Sequence, residues 1–203
     1  MANIAICAEI TGEVDLSCVR TLPKKYFQEV VVINFNDIDR AASTVNATDA
    51  SCDYSVSLVL KEGKKGVMIK LPESGGTIKG TYAKTTSDLG FPQYQHVVNI
   101  LLAGITAEIK CKLDKLDRGK YVIATQLADG TVEIWGYENG LGTGDYTWDI
   151  VEGGGATVIP MQSREGEEES MISLLYKAAV PGGENADFNE QFAQPAANGT
   201  GQD

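Results

Sequence analysis

The sequence predicts a mainly β protein, an antiparallel β-sandwich or half-barrel with one short helix and a flexible C-terminal tail. Three observations carry this reading. Hydrophobic residues recur with a period of two along most of the chain, and Gly, Asn and Asp punctuate the segments so defined. A length of 203 residues with 43% hydrophobic content fills one core. After Val180 the text turns to polar "PGGENADFNEQFAQPAANGTGQD", without periodicity. The expected organisation is a β-rich domain over 1–179 and a flexible tail or arm over 180–203.

The elements follow in order. "NIAICAEI" alternates like a strand, and the β-branched run Val30–Ile33 in "YFQEVVVINF" suits a strand buried on both faces. The polar stretch "NDIDRAASTVNATDASC" breaks the pattern and reads as a long loop outside the core. "DYSVSLVLKEGKKGVMIKL" alternates on both sides of Glu62, Gly63, Lys64, Lys65 and Gly66, which predicts a hairpin with that turn at its tip. "FPQYQHVVNILLAGI" is the candidate helix, with Tyr94, Val97, Val98, Leu101 and Leu102 at helical spacing and Gly104 as a stop; a strand competes there. Strands are then expected at "TAEIKCKLDKLD", at "GKYVIATQLA" and "TVEIWGYE" around an Asp129-Gly130 turn, and at "YTWDIVE", "ATVIPMQSRE" and "MISLLYKA".

Charge and motif content narrow the function classes. A net charge of −11 argues against a general nucleic-acid binder, which needs a basic footprint. The N-terminus lacks a secretory pattern and no apolar run reaches membrane-spanning length, so a soluble protein is expected. Asn46-Ala47-Thr48 and Asn198-Gly199-Thr200 are then chance sequons. Cys7, Cys18, Cys52 and Cys111 are widely spaced and read as buried free thiols rather than a zinc or redox motif. His96, the sole histidine, sits in apolar "QHVVNILL" and reads as a packed or capping residue rather than a catalytic base. The carboxylates of "NFNDIDR" and "EGEEES" read as solvated loops. No catalytic residue, cofactor or metal site is expected.

"ADGTVEIWGYENGLGTGDYTW" raises a separate question, since five glycines in 128–148 could cradle phosphate or shape a sheet. A phosphate cradle needs a strand before the glycines and a helix after them, whereas a strand pattern follows here, without G-x-G-x-x-G spacing or a G-K-[ST] lysine. Gly136, Gly140 and Gly142 therefore read as a structural turn that places Trp135, Tyr137, Tyr146 and Trp148 for packing across neighbouring strands.

That stretch, followed by "ATVIPMQSREGEEESMISLL", resembles phage virion structural proteins of the tail-tube type over roughly the second half of the chain. The resemblance implies a subunit without chemistry, whose copies form rings, commonly hexamers, that stack into a tube through which DNA passes without specific binding. Its expected setting is the tail of the virion, after synthesis in the host cytoplasm, with other virion proteins as partners and no membrane. In that setting the assembly contacts fall on Asn36, Asp37 and Asp39 and on the turn Glu62–Gly66, and the acidic balance would keep the DNA backbone from adhering. Alternatives are a head-to-tail ring, a tail hub component or a capsid decoration protein. A carbohydrate-binding module using Trp135, Tyr137 and Trp148 is another, and a hydrolase with paired carboxylates the last.

Overall fold

A computed structural model describes residues 26–47, 53–70, 78–151 and 153–193. The strand expected at "NIAICAEI" lies outside them. The chain is mainly β, and the described residues form one mixed sheet of eleven strands. These are β1 (Tyr26–Asn34), β2 (Thr44–Asn46), β3 (Ser55–Ser57), β4 (Val67–Lys70), β5 (Lys79–Thr86), β6 (Pro92–Ala103), β7 (Tyr121–Leu127), β8 (Val132–Trp135), β9 (Leu141–Thr143), β10 (Ala156–Ser163) and β11 (Leu174–Tyr176). Two helices accompany them, α1 (Ala107–Arg118) and α2 (Glu184–Asn189).

The sheet runs β2-β3-β11-β8-β7-β9-β10-β6-β5, with β1 on the other edge of β7 and β4 outside β1. β3 and β11 are parallel. The remaining pairs are antiparallel, including the β7–β8 hairpin around Asp129-Gly130.

Both faces of the middle strands are covered, as the β-branched run predicts. Val31 and Ile33 of β1 join Val122 and Ala124 of β7 in one core, together with Leu58, Leu60, Met171 and Phe188. Val30 and Val32 point the other way and meet Ile123, Val98, Ile100, Ile159 and Met161. The β9-β10-β6 arm thus curls back over the second face, in the manner of a sandwich.

The helix is displaced from its expected place. Residues 92–103 are a strand flanked on both sides by β5 and β10, with His96, Val98, Ile100 and Leu102 buried at alternate positions. Helical spacing of Val97, Val98, Leu101 and Leu102 arises there because both faces of a central strand carry apolar residues. "TAEIKCKLDKLD", expected as a strand, forms α1: Ile109, Leu113 and Leu116 make a stripe at i, i+4 and i+7. The Thr106 hydroxyl accepts the Ile109 amide at 3.3 Å, and Glu108–Lys112 and Asp114–Arg118 pair at i, i+4. Cys111 is exposed on this helix rather than buried, and the other three cysteines lie outside the described residues.

Three further expectations are corrected. The hairpin around Glu62–Gly66 does not form: β3 pairs with β2 and β11, whereas β4 pairs with β1. Alternation specifies which face a residue takes, not which strand it pairs with. The polar loop after β1 contributes to the core through Ile38, which bridges to Leu60, and it carries β2. Residues 146–151 of "YTWDIVE" adopt no regular strand.

The tail expected from residue 180 is packed as far as Ala193, because its two phenylalanines supply the apolar area that the polar text conceals. Phe188 and Phe192 are buried, and Phe192 meets the Tyr176 ring edge-on at 5.0 Å. The Tyr176 hydroxyl donates to Asp187 at 2.6 Å. Residues 194–203 lie outside the described residues. Phe188→Ala is expected to cost about 3 kcal/mol or more in a denaturant titration; an unchanged midpoint would mean that α2 is not part of the core.

Candidate functional site

Two loops chosen from sequence as assembly contacts meet in space. β1 ends in a 3-10 turn at Phe35–Asp37, held by the Phe35 amide donating to the Lys120 carbonyl at 3.0 Å. The Asp37 carboxylate accepts from the Asn34 side-chain amide at 2.8 Å and pairs with Lys64 at 3.3 Å. Lys61 donates through Nζ to the Asn36 carbonyl at 2.7 Å. Asp39 accepts the amides of Ala41 and Ala42 at 3.0 and 3.1 Å, which turns the chain toward β2. Glu62, Gly63, Lys64 and Lys65 are exposed, whereas Gly66 is buried and donates its amide to the Gln191 carbonyl at 2.9 Å. Asn36, Asp37, Asp39 and the Glu62–Lys65 turn therefore form one polar surface.

Behind it, Arg40 lies over the rings of Phe35 and Tyr137 at 4.6 and 4.3 Å from their centroids, connecting this surface to the glycine-aromatic stretch. β7 shows how that stretch is built. Its first edge is occupied by β1 from Tyr121 to Thr125, so β8 and β9 share the second. Trp135 faces Ile123, the chain loops out, and Leu141 returns opposite Tyr121. The loop closes with the Gly140 amide donating to the Gly136 carbonyl at 3.0 Å. Gly136 and Gly140 hold φ of +69° and +80°, where side-chain-bearing residues are strained. A Cβ on Gly140 would lie 2.5 Å from Lys120 Cγ and 2.8 Å from Phe35 Cδ2. Gly142 lies in β9 opposite Gln162.

The aromatics divide between the two cores. Trp135 is buried, donates Nε1–H to the Thr125 hydroxyl at 2.9 Å, and shares its cluster with half-buried Tyr146 and Trp148. Tyr137 belongs to the opposite core. Buried Trp135 and Tyr137 offer no stacking platform to a sugar.

Sequence reasoning missed Glu169, which "EGEEES" presents as one of several equivalent acids. Its carboxylate is buried and accepts the backbone amides of Glu138 and Asn139 at 2.7 and 2.8 Å, pinning the loop from the far side. Burial pushes its carboxyl up from the usual range, against the pull of those amides. His96 completes the pin. Its Nε2–H donates to the Met171 carbonyl at 3.0 Å, Nδ1 accepts the Gly136 amide at 3.2 Å, and its ring meets Trp135 edge-on. With Nδ1 committed as an acceptor the imidazole must be neutral, and burial brings its pKa down to about 4. Packing is thus the role of this histidine, as its apolar surroundings predict.

No protein-family model, curated protein or solved structure matches this chain. Among the described residues no helix is long and apolar enough to cross a membrane, and no three His, Cys, Asp or Glu side chains gather as metal ligands would.

Two expected outcomes follow from the pinned loop. Gly140→Val should lower stability by about 2 kcal/mol or more, because a strained positive φ and overlap with Lys120 and Phe35 coincide there, and should shift tryptophan emission by disturbing the loop that begins directly after Trp135; an unaltered melt and emission maximum would refute the structural role. The His96 proton sets a pH window. Its folded pKa lies below the unfolded value, so its contribution is present at neutral pH and fades as pH falls from about 6.5 toward 4. Glu169, raised in the fold, acts in the opposite sense. Wild type should therefore lose about 2 kcal/mol more than His96→Gln between pH 7 and pH 5, measured by chemical denaturation; parallel losses would contradict a neutral buried imidazole.

Proposed function

We propose that this chain is a structural subunit of a phage virion, of the tail-tube type, whose copies join into rings that stack to form a channel for DNA. The observation that carries the proposal is β5. Among the described residues this strand of eight residues ends the sheet, pairs with β6 along one edge, and is exposed at nearly every position. A long open edge offers backbone donors and acceptors to another strand. β2, at the opposite end of the sheet, is a different surface. Joining two dissimilar surfaces of identical copies gives a heterologous contact, which closes into a ring when the rotation permits. The polar surface of Asn36, Asp37, Asp39 and Glu62–Lys65 is suited to contact between stacked rings, where charged groups set register.

Negative-stain microscopy of the concentrated protein, with light scattering on the same sample, tests the reading. Rings and tubes of uniform diameter are the expected result. Rings that never stack would favour another ring-forming virion component, and a strict monomer at every concentration would overturn the proposal.

A further inference from the structure

The β5–β6 hairpin ends in the tight turn Ser87–Phe91, where the Ser87 amide donates to the Phe91 carbonyl and the Gly90 amide to the Ser87 carbonyl, both at 2.8 Å. This rigid tip presents apolar side chains outward: Leu89 is 84% exposed and Phe91 66%. Asp88 is exposed between them and Ser87. Two large apolar side chains held out in water on a well-hydrogen-bonded turn carry an unfavourable hydration that burial against a partner relieves.

At the other end of β6 the described residues enclose a cavity of about 570 Å³ between β4, β6 and α1. Val67, Ile69, Leu101 and Ile109 are among its apolar lining, and Lys70, Lys112 and Lys115 bring positive charge to it in a chain whose net charge is −11. Lys70 and Lys112 are held by Glu29 and Glu108 in exposed pairs, which exchange partners at little cost.

The tip precedes Pro92 and the cavity reaches Leu101–Ala103, so the two are separated by most of one strand, roughly 30 Å at about 3.3 Å per residue. A hairpin fixed at one end of β6 cannot reach a cavity at the other end of the same strand. We propose that the tip Ser87–Phe91 of one copy inserts Leu89 and Phe91 into the β4–β6–α1 cavity of a second copy, with Asp88 facing Lys112 and Lys115. The occupant is thereby a second copy of this chain, selected by apolar fit and by opposite charge. The contact is heterologous, with knob and hole at opposite ends of each subunit, and leaves a free tip and a free cavity on every terminal copy. It rests on the self-assembly reading and gives that reading a specific contact.

The heterologous geometry supplies its own test. A tip variant, Leu89→Ser with Phe91→Ser, keeps an intact cavity; a cavity variant, Lys112→Glu with Lys115→Glu, keeps an intact tip. All four positions are exposed, and circular dichroism and melting of each variant establish that it folds. Light scattering of wild type, of each variant and of their equimolar mixture is then compared. Wild type is expected to assemble, each variant alone to need at least tenfold higher concentration, and the mixture, in the dilute range where neither variant associates alone, to form a one-to-one dimer through its single intact tip-and-cavity pair. Wild-type assembly with both variants assembling equally well would overturn the tip-and-cavity contact while leaving self-assembly standing. Weakened variants whose mixture forms no dimer would also overturn it, since the two surfaces would not be partners. A wild type that stays monomeric throughout would overturn both this contact and the reading on which it rests.

Discussion

The structure depends on one strand being buried on both faces and used along both edges. β7 places Val122 and Ala124 in one core and Tyr121 and Ile123 in the other, while β1 occupies its first edge. Its second edge is shared by β8 and β9, and this sharing requires the chain to leave the sheet after Trp135 and re-enter at Leu141. The excursion lets the sheet change direction: β8 leads outward to β11, β3 and β2, whereas β9 leads to β10, β6 and β5. Without a compact loop at 136–140, the two wings could not both attach to β7.

The polar interior is the consequence. A loop drawn into the core brings backbone amides that must be satisfied, and His96 and Glu169 satisfy those of Gly136, Glu138 and Asn139. Each comes from a distant part of the chain, and β6 is tied to Glu169 by a further bridge at Tyr94. The pin joins three segments at the point where the sheet divides. The two wings are thereby tied together at the loop, as the proposed assembly requires if the exposed strand and the polar loops are to keep a fixed register.

Much of this was legible in the sequence, for local reasons. The double-sided burial of Val30–Ile33, the Asp129-Gly130 hairpin and the structural turn at Gly136–Gly140 all follow from alternation and from glycine's access to positive φ. What escaped was long-range. Val97–Leu102 satisfies both periods because β5 and β10 enclose it, and α1 was hidden because Ile109, Leu113 and Leu116 are interleaved with lysines that also alternate. Glu169 carries no local mark separating it from Glu167 and Glu168, as its burial is decided by a loop some thirty residues away. Phe188 and Phe192 lie in text polar enough to pass for a tail, yet two buried rings suffice to hold it. The loops around Asp37 and Lys64 were selected separately from the sequence, and their meeting through that pair is a property of the fold.

The central claim is that the open edge of β5 is completed by another copy. Hydrogen exchange on dilute and concentrated protein measures this directly, since protection reports backbone pairing strand by strand. Amides of β7 should be protected in both samples, whereas amides of β5 that face away from β6 should exchange fast when dilute and become protected on concentration. Assembled protein whose β5 amides exchange as rapidly as in the dilute sample would contradict the account.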